Sequence, residues 1–260
     1  MTTELPKIAG AIFDMDDTIL DNQSNGPFGG LHEKSRLLAL HAYADTSGLP
    51  QLLGVGQIEN YNAFHSSTSH SLEGAIWKIL KDYGIVDDNE VDRTNPHLTA
   101  IMHLKDELHG PTLLSEGKPI ENSVRFIRGL EAQGLGEKLA IASSATIRDI
   151  HLFLGMTGLS SLFPESRIQA RETTTHFKPH PEPFDKAFIS LNLPESKRSS
   201  VLAFEDDIRG VESAIKAGLF VCALTSRYSR SDFENSKLPP HVIADSYEEF
   251  ADILDITLID

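Results

Sequence analysis

The chain has 260 residues, 40% of them hydrophobic, enough to bury one large core or two modest ones. Its formal charge of −15 argues against nucleic acid or an anionic membrane surface as the main partner, and gives an anionic substrate no long-range attraction. No run of about 18 apolar residues is available to span a bilayer. Residues 1–7 lack the basic-then-apolar form of a secretory signal, and the single cysteine, Cys222, sits in an apolar run, so a reducing, cytoplasmic location is expected.

The first element is the short uncharged run 8–13, which reads as a fully buried strand. It ends in Asp14-Met15-Asp16-Asp17-Thr18. Ligands of an open parallel sheet bind beyond the carboxyl ends of its strands. Two carboxylates crowded at a buried edge are costly unless a cation or a proton compensates them. The pattern therefore points to a metal site with a shared catalytic task. An acidic turn capping the next helix is the plainer alternative.

From 26 to 110 only helical patterns follow. They cover Glu33 to Ala44, then Leu72, Ile76, Ile79, Leu80 and Tyr83 on one face, then Ala100 to Leu108. A stretch of roughly eighty residues is too long for a simple crossover. It predicts a separate small helical domain at 26–110, with residues 26–30 and Gly110-Pro111 as linkers.

Beyond it, strands and helices alternate. A helical face at Val124, Ile127 and Leu130 precedes the apolar run 139–142, which ends in Ser143-Ser144. Lys178 lies in the proline-stiffened loop 176–181. Phe184, Ala187, Phe188 and Leu191 mark a helix ahead of the strand 201–204, which ends in Glu205-Asp206-Asp207 with Gly210 shortly after. Val211, Ala214 and Ile215 mark another, followed by strand-like runs at 219–224 and 242–244 and a closing helix at 247–254. This alternation predicts an α/β core, a Rossmann-like doubly wound parallel sheet built from 1–25 and 111–260, with the all-helical domain inserted.

Taken singly, these strand-end residues have ordinary readings as caps, turns or solvated charges. In order, the D-x-D-x-T, Ser, Lys-Pro and Glu-Asp segments resemble the haloacid dehalogenase superfamily. The K-P-x-P and E-D-x-x-x-G wording at Lys178 and Glu205 is most similar to its beta-phosphoglucomutase-like branch. The resemblance implies a helical cap that closes over the active site on hinge-like linkers. It makes Asp14 the nucleophile, forming an aspartyl-phosphate, and Asp16 the general acid and base. Dehalogenases lack the second acid, so Asp16 favours a phosphatase or phosphomutase. The Ser143 hydroxyl and the Ser144 N–H would bind phosphoryl oxygens, and Lys178 would neutralise charge there. Mg²⁺ would be held by Asp14, the Asp16 carbonyl and Asp206, with Glu205 a further ligand in some members. Asp207 reads either as support for that site or as a helix N-cap, and Thr18 as fixing the turn through its hydroxyl.

Within the helical stretch, His32 is either a counterpart of a family substrate-binding histidine or a solvated helix-start residue. The polar run 65–71 is either a specificity loop or the cap of the helix from Leu72, and Trp77 should pack between helices. The eleven histidines show no close pairing on a helix face or beside cysteine that would make a transition-metal site. The expected activity is hydrolysis of phosphate monoesters of small metabolites, with phosphorylated sugars favoured. A phosphomutase is the nearest rival and a non-catalytic phospho-ligand-binding module a remote one.

Overall fold

The computed structural model describes residues 5–22, 30–56, 64, 67–68 and 71–260. Residues 26–29 of the expected linker, and 65, 66, 69 and 70 of the polar run, lie outside them. The chain divides into two compact units, Met1–Asp21 with Lys118–Asp260, and Asn22–Gly117. No helix among the described residues is long and apolar enough to cross a membrane.

The first unit is built on strands β1 (Gly10–Phe13), β4 (Leu139–Ala142), β5 (Ile168–Gln169), β6 (Val201–Glu205), β7 (Phe220–Leu224) and β8 (Val242–Ala244). They form one parallel sheet in the order β5-β4-β1-β6-β7-β8. Every residue of β1, β4, β6 and β7 is buried, because helices cover both faces, and all but the terminal Glu205 of β6 are non-polar. Successive residues serve opposite faces. Ile12, Ala203 and Val221 join a core with Phe184 and Phe188 of the Glu182–Ser190 helix and Val211 and Ala214 of the Ile208–Lys216 helix. On the other face Phe13 stacks on Phe204 at 4.7 Å between ring centroids, and Phe204 meets Phe126 and Phe250 at 5.3 and 5.2 Å. Those two rings come from the Ser123–Leu130 and Tyr247–Leu254 helices. Burying each such ring stabilises the unit by about 1.5–3 kcal/mol.

Register sets up the site. Phe13 lies opposite Ile141 on one side and Phe204 on the other. Asp14, Ser143 and Glu205 therefore leave three adjacent strands within a residue or so of the same level. Two further strands, β2 (Leu20–Asp21) and β3 (Lys118–Pro119), make a small antiparallel ladder, Leu20 facing Pro119 and Asp21 facing Lys118. The chain leaves and re-enters the sheet-bearing unit through this ladder.

The second unit contains the helices Leu31–Ser47, Leu72–Asp82 and Pro96–Glu116. Leu37, Leu40, Leu52, Ile76, Leu80 and Ile101 share a core with Trp77, whose indole N–H donates to the Asp88 carbonyl at 3.0 Å. Ser71 caps its helix, its Oγ accepting the Gly74 N–H at 2.8 Å. The last helix corrects the expected boundaries. Asn95 caps it by accepting the His97 N–H at 2.9 Å, and Pro96 occupies the first turn, so it starts before Ala100. It then runs through Gly110 and Pro111, which are no linker. An interior proline costs a helix roughly 3 kcal/mol. Here Leu98, Ile101, His109, Thr112 and Leu113 are all buried along the helix, and that packing holds it across the break.

Candidate active site

Asp14 follows β1 directly, and its N–H donates to the Phe204 carbonyl at 3.0 Å, which anchors it between β1 and β6. The chain then turns back. Asp17 takes a left-handed conformation at φ 57°, and the Ile19 and Leu20 N–H groups both reach the Met15 carbonyl at 2.9 Å. Asp16 sits half-buried at the start of this turn, near enough to Asp14 to disfavour its ionisation.

The Lys178 ammonium donates to Asp14 Oδ1 at 2.5 Å and also to Glu205 Oε1. Its own loop is held from the Ile208–Lys216 helix. Arg209 Nη2 donates to the Lys178 carbonyl at 2.5 Å, and Ser213 Oγ to the His180 carbonyl at 2.6 Å. Glu205 turns its other oxygen, Oε2, to the Asp206 and Asp207 N–H groups at 3.2 and 3.3 Å. Gly210 makes this possible, since a Cβ there would stand 2.0 Å from Glu205 Oε1. The glycine of the E-D-x-x-x-G motif is required by a carboxylate lying against its backbone.

Asp14, Glu205 and Asp206 offer carboxylate oxygens all within 4.8 Å of one another, and all three residues are buried. Burial pushes the Asp14 carboxyl well above the usual range, Lys178 opposes this, and Glu205 and Asp16 add to it. Asp206 is raised by burial and then by Asp17, Glu205 and Asp14. Glu205 is raised by burial against the pull of Lys178. Burial disfavours the Lys178 ammonium, but Asp14 and Glu205 outweigh it and raise its pKa. The Lys178 ammonium thus pairs with two of the three carboxylates, Asp14 and Glu205, and Asp206 has the Arg227 guanidinium as its nearer cation. Asp206 Oδ1 accepts the Thr18 hydroxyl at 2.8 Å, while its Oδ2 is buried with no hydrogen-bond partner among the described residues. An all-oxygen donor set with surplus negative charge and an orphaned buried oxygen fits a hard divalent cation.

Ser143 is buried at the end of β4, next to β1, with its N–H on the Gln169 carbonyl at 2.9 Å and its Oγ accepting the Ala145 N–H at 3.2 Å. Ser144 beside it is exposed. Asp207 caps its helix, Oδ1 accepting the Arg209 N–H at 2.7 Å, and its Oδ2 pairs with Arg227 Nη1 at 3.2 Å. Thr18 departs from expectation, because its hydroxyl goes to Asp206 and not to its own turn. Its carbonyl in turn accepts the Tyr247 hydroxyl at 2.9 Å. His32 belongs to the helical unit, where its ring stacks on that of His109 at 4.2 Å, and His109 Nδ1 shares a 3.0 Å hydrogen bond with Ser35. Arg209, Ser213, Arg227 and Tyr247 were invisible as site supports, since each acts on a partner far away in sequence.

Comparison with known proteins identifies the family and the fold. The haloacid dehalogenase-like hydrolase family model matches residues 8–218, and the chain belongs to that family. Over 116 residues it is 29% identical to the pyrophosphatase PpaX of Oceanobacillus iheyensis, covering 44% of this chain and 51% of that protein. The chain thus matches about half the length of that curated relative. Among solved structures it is similar to a Thermotoga maritima protein put forward as a beta-phosphoglucomutase, with TM-score 0.65, 18% identity, and 94% and 97% of the two chains covered. It is also similar to a variant of CbbY from Rhodobacter sphaeroides in complex with xylulose-1,5-bisphosphate, with TM-score 0.64, 18% identity, and 93% and 96% covered. At such identities these structures speak to the shared fold.

Proposed function

We propose that this hydrolase is a Mg²⁺-dependent phosphatase acting on phosphate monoesters of small metabolites, with phosphorylated sugars the favoured class. The observation that carries the reading is the Lys178 ammonium bridging Asp14 and Glu205 beside the buried, half-satisfied Asp206. Asp14 Oδ attacks phosphorus, the P–O bond to the leaving group breaks, and Asp16 gives that alkoxide its proton. The Asp16 carboxylate then takes a proton from water, whose oxygen displaces Asp14 from phosphorus and frees inorganic phosphate. The Ser143 hydroxyl and Ser144 N–H donate to the phosphoryl oxygens, and Lys178 offsets their charge. Mg²⁺ held by Asp14, the Asp16 carbonyl and Asp206 supplies further positive charge where negative charge develops. Glu205, already engaged by Lys178 and two N–H groups, serves chiefly to position the lysine.

The helical unit takes the part of a cap that selects the substrate, with His32 among the selecting groups. The sugar preference draws on the CbbY complex, and the PpaX relative makes pyrophosphate a necessary comparison substrate. A cytoplasmic location suits a chain whose one cysteine is buried in β7. The test is phosphate release from a panel of sugar mono- and bisphosphates, other phosphate esters and pyrophosphate, with Mg²⁺ and with EDTA. Mg²⁺-dependent release, fastest on sugar phosphates, is expected. A second arm follows conversion of beta-glucose 1-phosphate to glucose 6-phosphate, which would instead make the chain a phosphomutase. No turnover of any ester by folded, Mg²⁺-supplied protein would leave only a binding module.

A further inference from the structure

The loop that carries Lys178 also brings together three groups that the phosphatase chemistry does not use. His176 and His180 stand two residues to either side of the lysine, and Glu182 opens the helix that follows. In sequence they are an unremarkable H-x-x-x-H-x-E whose two histidines lie outside any helix, and no metal site is expected among the histidines. The loop folds back on itself, with the His180 N–H on the Phe177 carbonyl at 2.9 Å, and the two imidazoles stack with centroids 4.5 Å apart. One ligand atom from each of His176, His180 and Glu182 lies within 4.8 Å of the other two.

We propose that His176, His180 and Glu182 form a second metal site, on the outer face of the Lys178 loop, for a borderline transition ion such as Zn²⁺. Two imidazoles and one carboxylate are a donor set found on zinc, with a fourth position left for water, and imidazole ligands disfavour Mg²⁺. In a tetrahedral zinc site with bonds near 2.1 Å the ligand atoms are about 3.4 Å apart. Small rotations of exposed side chains close the remaining gap. The carboxylate is already oriented, because Glu182 Oε1 accepts the Thr175 N–H at 2.8 Å and Oε2 the His176 N–H at 2.9 Å. Lys186, Thr175 and His176 hold its pKa below the usual carboxylate range, so it is ionised at neutral pH. Two contacts must yield to the ion. The proton shared between His176 Nδ1 and Glu182 Oε2 at 2.7 Å leaves, and the 3.2 Å bond from the Glu182 N–H to His180 Nδ1 gives way if that nitrogen is the ligand. Lys186 can keep Oε1, on which it sits at 2.7 Å.

The inner side of the same loop is tied to the Ile208–Lys216 helix through Arg209, Ser213 and Lys216, the last on the Pro179 carbonyl at 3.2 Å. An ion on the outer side would join the loop's two ends and brace it from the opposite direction. The site is separate from the acidic cluster and does not depend on the phosphatase reading.

The experiment is calorimetric titration of the full chain with Zn²⁺ in excess Mg²⁺, followed by electron paramagnetic resonance with Cu²⁺ as a probe of nitrogen ligands. One Zn²⁺ per chain with micromolar affinity is expected, with imidazole nitrogen coupling in the Cu²⁺ spectrum. His176→Ala and His180→Ala should each weaken binding at least tenfold and remove nitrogen coupling, while Mg²⁺-dependent phosphate release stays within twofold of wild type. Asp206→Asn should leave Zn²⁺ binding unchanged. Absence of binding, binding indifferent to both histidine substitutions, or binding lost in Asp206→Asn would overturn the proposal.

Discussion

Thr18 gives its hydroxyl to Oδ1 of Asp206 across 188 positions of sequence, at 2.8 Å, while Oδ2 of the same carboxylate is buried with no hydrogen-bond partner among the described residues. A buried carboxylate left half-satisfied costs free energy that a bound cation recovers. Mg²⁺ should therefore stabilise the fold. At a concentration a hundredfold above its Kd the gain is about 2.7 kcal/mol, a rise in Tm of roughly 5–10 °C for a chain of this size. Thermal melts with Mg²⁺ and with EDTA check this. Asp206→Asn should lose most of the rise, and Thr18→Val should weaken the apparent Mg²⁺ affinity while keeping the fold.

The same three carboxylates set a pH dependence. Asp14, Asp206 and Glu205 are all raised by burial. A carboxyl whose folded pKa lies above its unfolded one contributes stability that is full below the unfolded pKa and is lost as pH rises through the folded pKa. In EDTA the Tm should fall as pH rises from the ordinary carboxylate range toward neutrality and beyond. Mg²⁺ should flatten that slope, since it compensates the charge. A Tm in EDTA that rises across this window would mean that the cluster is not strained by its own ionisation.

Gly210→Ala tests how Lys178 is held. The new Cβ would lie 2.0 Å from Glu205 Oε1, so the carboxylate must leave the lysine or the helix must shift. Overpacking of this kind costs about 1–3 kcal/mol. Phosphate release should drop by about ten- to a hundredfold, a barrier increase of roughly 1.4–2.8 kcal/mol. Wild-type turnover in this variant would remove Glu205 from the role of anchor.

Asp16 as proton donor makes leaving groups diagnostic. Asp16→Ala should slow alkyl and sugar phosphates by about 10²–10⁴-fold, because their alkoxides need a proton. Aryl phosphates, whose leaving groups are stable as anions, should lose far less. Equal losses on both would argue that the Asp16 side chain acts otherwise.

Much of the sheet is legible in the chain because β1, β4, β6 and β7 are buried on both faces, which leaves continuous apolar runs with a charged or hydroxyl residue where each ends. The ladder of β2 and β3 and the strand β5 are two residues long each, too short to carry any period. Pro111 misleads for a physical reason, since local propensity disfavours a helix that tertiary packing keeps intact. The candidate site residues Asp14, Ser143 and Glu205 are readable from their places at strand ends. Their supports are not. Thr18 to Asp206, Tyr247 to Thr18 and Arg209 to the Lys178 carbonyl are contacts that only topology creates. The approach of His176 to His180 likewise depends on a loop whose path no local pattern encodes.

In the proposed reaction the Asp14 side chain carries the phosphoryl group during turnover. Rapid quenching of the working enzyme, borohydride reduction and peptide mass spectrometry read it directly, since an acyl phosphate is reduced to an alcohol. Homoserine at position 14, absent without substrate and absent in Asp14→Asn, is the expected result. Steady phosphate release with residue 14 unaltered, or with homoserine at another aspartate, would contradict the account.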